Sequence, residues 1–561
     1  QARLSQGFAP LTGGRTMQQD GYLARREAMV AAGFWKDRIL LDDFDRHVRE
    51  RPDALAVVAH EVTTGRRTRL TYGELATRAG RIAVGLARLG VEKGDVVSYQ
   101  LPNWWEFVAL HLACLRIGAV TNPMMPILRR RELEFMLNHA RSKVMVTPAV
   151  FRDFDYAAMI AGMRDVLPHL RHALVVGGQG EAAFERLHAE PVDEGEAARL
   201  FADRRPGPDD IIQVLYTSGT TGEPKGVMHT SNTLISNLGP YRERLHLTDR
   251  DTVFMASPLA HQTGFIYGLM MPIAMGVPVV LQDIWNKAVA ADLFAEEKAT
   301  YTMASTPFLA DLTDEAETRP QAFASLRVFL AAGAPIPRVL VRRATDNLGA
   351  TIASGWGMTE NGAVTVTRPE DPPEKAFETD GTPLPGMEVR TVDGSDRPLG
   401  AGGEGRLQVR GCSNFVGYLR RPDLDAVDAD GWFETGDLAR IDADGYVRIT
   451  GRAKDIIIRG GENIPVVEIE GLIYKHPDVQ DVAIVAMPDE RLGERACAFV
   501  TTKPGARLSL KDVVDYLGGQ HVSKNYLPEH LEVVAELPRT ASGKIQKFML
   551  RDMAKNLRRG G

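Results

Sequence analysis

The chain predicts a layered α/β fold with largely parallel sheets, closed by a small separate α/β unit. Two observations carry this. Apolar runs of strand length alternate with amphipathic helical patterns over most of the chain, and after Gly386 the pattern changes to short strands punctuated by glycines. Length is the third: 561 residues, at about 150 per domain, give three to four domains or fewer large ones.

In chain order, Ala54–Ala59 and Asp95–Gln100 read as strands, with the amphipathic helix Tyr72–Leu89 between them. Val144–Thr147, Ala173–Val176, Ile211–Tyr216 and Val277–Leu281 are further strand-length apolar runs, while Leu133–Ala140 and Ala288–Lys298 fit helices. From Thr252 to Gln282 there is no Asp, Glu, Lys or Arg, a span long enough to cross a bilayer. Pro258, Pro272, Pro278, Gly264, Gly268 and Gly276 interrupt it, and His261 and Gln262 are polar. A short buried helix followed by the buried strand Val277–Leu281 fits better, and no membrane span is expected. Gly394, Gly400, Gly402, Gly403, Gly405, Gly431 and Gly445 punctuate an antiparallel, barrel-like piece. A last unit begins near Lys454 and alternates through Ile456–Ile458, Glu468–Tyr474, Val482–Ala486, Ala496–Thr501 and Leu510–Gly518; residues 454–561 have the size of one small α/β domain.

Composition excludes several classes. A hydrophobic fraction of 44% rules out a disordered or collagen-like chain. Net charge is −6, from 67 basic and 73 acidic residues, which argues against a bulk nucleic-acid binder. Cys114, Cys412 and Cys497 are far apart and lack metal-ligand spacing, and residues 1–35 show no secretion signal. The expectation is a reduced, cytoplasmic setting.

The most specific segment is Tyr216-Thr-Ser-Gly-Thr-Thr-Gly-Glu-Pro-Lys-Gly226, directly after a strand. Thr217, Ser218, Thr220 and Thr221 offer hydroxyls, Gly219 and Gly222 let backbone N–H groups turn inward, and Lys225 adds charge: a loop that can wrap a polyphosphate. It lacks Walker A spacing. The bland alternative for this segment standing alone is a flexible, hydroxyl-rich surface turn, the lesser of the two readings. Further on stand Gly355-Trp-Gly-Met-Thr-Glu360, Thr435-Gly-Asp437, Gly451-Arg-Ala-Lys-Asp455, Gly460-Gly-Glu-Asn-Ile464 and Arg539-Thr-Ala-Ser-Gly-Lys544. Together, in this order and spacing, they resemble the adenylate-forming superfamily of acyl-CoA synthetases, luciferases and peptide-synthetase adenylation domains. The likeness runs from about Leu70 to Leu550.

The resemblance implies a two-step reaction: a carboxylate attacks the α-phosphate of Mg·ATP to give acyl-AMP and pyrophosphate, and a thiol, usually of coenzyme A, displaces AMP. It implies two layered α/β subdomains and a barrel-like one within residues 1–453, and a mobile domain at 454–561 pivoting at Lys454. Thr217, Ser218, Gly219, Thr220, Thr221, Gly222 and Lys225 would grip the β- and γ-phosphates; Glu360, with Thr217, would hold Mg²⁺, and Thr359 would touch the α-phosphate. Trp356, with Gly357 and Met358 beside it, would lie against adenine, bordered by Gly333, Ala334 and Pro335. Asp437 would accept from both ribose hydroxyls, with Arg452 beside it. Lys544 would bridge the substrate carboxylate and the α-phosphate. Rotation would then bring Gly460 and Gly461 to the site for pantetheine; Pro465 stands one position earlier than in many relatives. A homodimer and an acetyltransferase acting on Lys544 are partners the resemblance admits.

For the acid, the resemblance sets His261 at the carboxylate site and Gly264, Phe265, Leu269, Gly333, Gly357 and Met358 along the acyl pocket. Gln262 stands where amino-acid-activating relatives carry an Asp, so a neutral amide would leave an ammonium unpaired. Phe265, Ile266, Leu269, Met270 and Pro272 suit an uncharged hydrocarbon, and Gly357 in place of a large aromatic implies room beyond propionate. The segments 34–38 and 461–470 are similar to those of bacterial cyclohexanecarboxylate-CoA ligases, which implies an alicyclic acid. Alternatives are a medium-chain fatty acyl or aryl-CoA ligase, an acyl-AMP ligase loading a carrier protein, and a non-catalytic nucleotide sensor.

Overall fold

The computed structural model describes residues 17–217, 224–333, 338–453, 457–459, 462–489, 493–520, 522, 524–540 and 543–557. Two large sheets form its body. The first has nine strands, in the order Thr382–Pro383, Gly362–Val366, Thr351–Met358, Val328–Ala332, Tyr301–Ala304, Val253–Met255, Val279–Gln282, Leu55–His60 and Arg67–Thr71. Its interior pairings are parallel, from Thr351–Met358 across to Leu55–His60, and antiparallel partners flank them at both edges. The second has seven strands, in the order Gly417–Tyr418, Lys225–Thr230, Ile211–Thr217, Val120–Pro123, Val96–Tyr99, Val144–Pro148 and His172–Val176. One continuous apolar core spans residues of both sheets.

The local rules of the chain explain its helices. Tyr72–Arg88 starts at a capping box in which the Thr71 side chain accepts from Glu74 N and the Glu74 carboxylate accepts from Thr71 N. Trp105–Arg116 is buried on every side up to Leu115, as a helix apolar all round must be. The uncharged stretch after Thr252 holds the expected helix and strand, and an additional strand, Val253–Met255, before them. The helical part runs from Gln262 to Met275 and widens into a π-helical turn at Ile266–Met270. Two of its glycines are dictated by neighbours: a Cβ would stand 2.2 Å from Pro258 O at Gly264 and 2.4 Å from Met255 Cγ at Gly268. No helix among the described residues is long and apolar enough to cross a membrane.

The barrel-like piece takes the form of a four-stranded antiparallel sheet, in the order Met387–Val392, Gly405–Gly411, Phe433–Ile441 and Val447–Arg452. Downstream, Glu462–Ile464, Ile457–Arg459, Gly493–Thr502 and Val479–Asp489 form a further sheet, to which His530–Val533 adds in parallel. With the helices Val466–Ile473, Leu510–Gly519 and Lys547–Leu557 it has apolar clusters of its own. All three cysteines are buried and free.

Arg244 closes the helix Ser231–Arg244 onto the edge of the first sheet. Its guanidinium donates to the carbonyls of Val366, Thr382 (3.1 Å) and Pro383 (3.0 Å), and to Thr382 Oγ1 (3.0 Å). Replacing it by methionine strands those carbonyls. Arg244→Met is expected to cost about 1–3 kcal/mol, read as a lower denaturation midpoint with an unchanged circular dichroism spectrum.

Candidate functional site

The hydroxyl-rich motif is flanked by two paired strands. Ile211–Thr217 turns back into Lys225–Thr230, with Thr217 opposite Lys225; Ser218, Gly219, Thr220, Thr221 and Gly222 lie outside the described residues. Gly417–Tyr418 adds to the hairpin's edge, with Tyr418 opposite Val227. Lys225 Nζ sits 4.8 Å from the centre of the Tyr418 ring, and Tyr418 Oη donates to Glu360 Oε1 at 2.6 Å. One tyrosine thus links the lysine of the hydroxyl-rich motif to the carboxylate of Glu360. Burial raises the pKa of Glu360, while the Tyr418 hydrogen bond and the charges of Arg452 and Lys225 oppose the rise.

The backbone of Thr359 is held from below. His229 Nε2 lies 2.8 Å from Thr359 O. A carbonyl only accepts, so Nε2 carries the proton and Nδ1 takes a hydrogen bond from Thr233 Oγ1 at 3.0 Å. Burial pushes the His229 imidazole down to about 4, so it stays neutral. On the other side of the hairpin, His139 Nδ1 meets Tyr216 Oη at 2.8 Å. His139 lines a surface groove of about 800 Å³ with Arg130, Arg131, Glu134, Phe135 and Asn138.

The nucleoside motif residues also converge. Trp356 lies within the strand Thr351–Met358 rather than after it, because Gly355–Met358 continues the pairing with Gly362–Val366 through a bulge. Its indole Nε1 donates to Asp437 Oδ2 at 2.9 Å. Arg452, the cross-strand partner of Asp437, brings Nε to 2.8 Å from Oδ1. At Gly357 a Cβ would stand 1.9 Å from Gly362 O. That glycine answers to the neighbouring strand's backbone, a different physical reason from the expected room in an acyl pocket.

Lys544 reaches this cluster from the far end of the chain. Its N–H donates to Thr540 Oγ1 (3.0 Å), Thr540 N donates back to Lys544 O (2.7 Å), and Gly543 takes φ +84°. The turn rests on the body of the protein: a Cβ at Gly543 would lie 2.6 Å from Ser305 Oγ, and one at Gly333 2.9 Å from Lys544 Cε. Burial and the charge of Arg452 lower the Lys544 pKa, and Asp437 and Glu360 oppose them. His261 caps the helix at Gln262, its Nδ1 accepting from Thr263 N. Burial and then Lys544 push its imidazole down to about 3. Ala334, Pro335, Lys454, Gly460 and Gly461 lie outside the described residues.

Behind His261, Phe265, Ile266, Leu269 and Met270 are buried, whereas Met358 is only partly so. The Phe265 ring meets His111 edge-on at 4.8 Å. Gln262 is buried too, and neither its amide atoms nor the His111 ring nitrogens have a hydrogen-bond partner among the described residues. Tyr418, His229 and His111 are site residues that sequence reading missed. Each owes its place to contacts with distant segments, so no local motif marks it.

Comparison with known proteins accounts for this convergence. The family model described as "AMP-binding enzyme" matches residues 44–419, and that of the "AMP-binding enzyme C-terminal domain" matches 468–544. The chain belongs to the AMP-binding enzyme family. Within it, the enzyme is an AMP-forming acyl-CoA synthetase. It is 38% identical over 530 residues to the medium-chain fatty-acid–CoA ligase of Escherichia coli K12, covering 94% of this chain and 92% of that one. It is likewise 38% identical to a salicylyl-CoA synthase / salicylate adenylyltransferase of a Streptomyces species, covering 93% and 95%. Among solved structures, ATP-bound MatB from Rhodopseudomonas palustris superposes with a TM-score of 0.79 at 28% identity, covering 93% of this chain and 100% of that one.

The buried imidazoles of the synthetase make its stability pH-dependent. His111 is held down to about 3 by burial alone, against about 6.5 in the unfolded chain. The unfolded state therefore binds the extra proton first, and stability falls as pH drops from about 6.5 towards 3. The penalty from His111 reaches about 2 kcal/mol at pH 5. His111→Leu is expected to flatten this limb, measured as unfolding free energy at pH 7.5 and pH 5 for both proteins.

Proposed function

We propose that this synthetase joins a medium-sized, uncharged carboxylic acid, foremost an alicyclic acid such as cyclohexanecarboxylate, to coenzyme A at the expense of ATP. The products are acyl-CoA, AMP and pyrophosphate. The observation that carries the reading is the seating of Lys544 against Gly333, within electrostatic reach of Glu360, Asp437, Arg452 and His261. The buried Phe265, Ile266, Leu269 and Met270 and the uncharged Gln262 support an apolar acid.

Each group has a task in the first step. Asp437 accepts from the ribose, Thr217 and Lys225 hold the polyphosphate, and His261, neutral, stands at the acid's carboxylate without competing for charge. As the carboxylate oxygen attacks the α-phosphorus and pyrophosphate leaves, negative charge gathers on the phosphoryl oxygens, where the Lys544 ammonium is aimed. The donor set fits Mg²⁺: Glu360 is one buried carboxylate, and no cluster of three ligands exists among the described residues, as suits an ion that keeps phosphates and waters as its other ligands. Glu360 and Thr217 would hold it, and it would neutralise the polyphosphate. In the second step residues 454–561 turn about Lys454, Lys544 withdraws, and Gly460 and Gly461 border the thiol's path. The buried free cysteines suit a reducing compartment, and we place the enzyme in the cytoplasm.

Lys544→Ala is expected to slow acyl-AMP formation by about 10²–10³ and to leave thioester formation from supplied acyl-AMP largely intact. Equal loss of both half-reactions in a folded variant contradicts the two-step role. Gly333→Ala, which crowds Lys544 Cε at a residue with φ +89°, should show the same selectivity in milder form. For the acid, AMP release with cyclohexanecarboxylate, octanoate, benzoate and acetate is compared at equal concentration. Octanoate or benzoate leading by tenfold replaces the alicyclic assignment, and preference for a holo-carrier over free CoA replaces the acceptor.

A further inference from the structure

We infer that Trp356 is a positioning residue for ribose recognition: its indole N–H locks the Asp437 carboxylate in the orientation that receives the sugar hydroxyls. The inference rests on the reading of Asp437 as the ribose acceptor and adds the device that aims it. An ionised carboxylate offers about four lone-pair sites, and the torsion about its last carbon–carbon bond is broad and soft. Two donors take one site on each oxygen here. Trp356 Nε1 binds Oδ2 at 2.9 Å, and Arg452 Nε binds Oδ1 at 2.8 Å.

The two donors are not equivalent. The Arg452 side chain is 44% exposed, while that of Asp437 is 3% exposed, so the arginine holds its oxygen from a solvated, adaptable position. Trp356 is buried, and its backbone pairs with Thr365 on one side, just ahead of the bulge at Gly357. Its ring is packed in the interior while the arginine stands half in water, which makes the indole N–H the firmer pin of the carboxylate plane. With one site on each oxygen occupied, one site on each remains, side by side, matching a vicinal diol. Phenylalanine would supply an aromatic face but no donor, so the N–H is separable from the ring by substitution.

A ligand-deletion cycle tests this. Trp356→Phe and the unaltered enzyme are compared for ATP and 2′,3′-dideoxy-ATP binding by calorimetry and for KM and kcat of acyl-AMP formation. The expected result is an about tenfold weaker affinity and higher KM for ATP, a smaller change in kcat, and less than about twofold change for the dideoxy nucleotide. Equal loss on both nucleotides means that Trp356 acts through the base or the fold, and no loss on ATP means that the carboxylate needs no pin; either overturns the inference. An unaltered enzyme that binds both nucleotides alike overturns the assignment of Asp437 itself, a distinct outcome visible without any variant. If Trp356→Phe does not fold, 3-benzothienylalanine at position 356, which keeps the indole's shape and replaces N–H by sulfur, carries the same comparison.

Discussion

Lys544 enters the cleft past two residues that have no side chain. Gly543 lets its turn settle on Ser305, and Gly333 lets the lysine's last methylenes lie along the backbone where any Cβ would stand 2.9 Å from Cε. Both glycines have positive φ, +84° and +89°, a conformation that other residues enter at a cost. The closeness of this contact decides the electrostatics around it. Burial lowers the pKa of Lys544 and that of His261 together, and the charge of Lys544 lowers the histidine further. Asp437 and Glu360 pull the other way on the lysine, so two carboxylates oppose the loss of its charge.

Those carboxylates are in turn held by neutral donors. Tyr418 binds Glu360 and Trp356 binds Asp437. Had the partners been further cations, the site would have carried more positive charge in a dry cleft, and Lys544 would be the group most easily discharged. Hydroxyl and indole donors fix the geometry of an anion without adding to the repulsion on Lys544. Arg452 is the exception, and its half-exposed side chain keeps much of its charge in water.

What could be read from the sequence follows the range of the interaction. The helix Tyr72–Arg88 was legible because its amphipathic pattern repeats within a single turn, and the structure buries that stripe from Tyr72 through Leu75, Ala79, Ile82, Ala83 and Leu86. The strand Ile211–Thr217 was legible because it is a strand-length run that is apolar from Ile211 to Tyr216 except at Gln213, near what a strand buried on both faces requires. The motif residues were visible as clustered glycines, hydroxyls and charges, and the structure brings Lys225, Glu360, Asp437, Arg452 and Lys544 into one electrostatic neighbourhood. Tyr418 was not legible, since its place depends on Gly417–Tyr418 pairing with Lys225–Thr230, a match with no local signature. Gly357 shows the converse: a glycine that invites a functional reason owes its identity to the carbonyl of Gly362 on the adjacent strand.

The same distinction separates the two kinds of buried polar group in the site. His229 is neutral because burial suppresses its charge, but both nitrogens are used, one on Thr359 O and one facing Thr233; that histidine braces the backbone beside Glu360. His111 and Gln262 are buried without partners among the described residues, beside Phe265 and at the start of its helix. Unpaired polar atoms in an interior are costly, and here one stands on each of two packed helices, His111 on Trp105–Arg116 and Gln262 at the start of the helix that carries Phe265. Its middle turn is π-helical, the looser winding that recurs at functional sites. The wall behind His261 thus combines an apolar surface with a π-helical turn and buried polar side chains that find no partner among the described residues, the kind of local departure from regular packing expected where a helix serves more than the core.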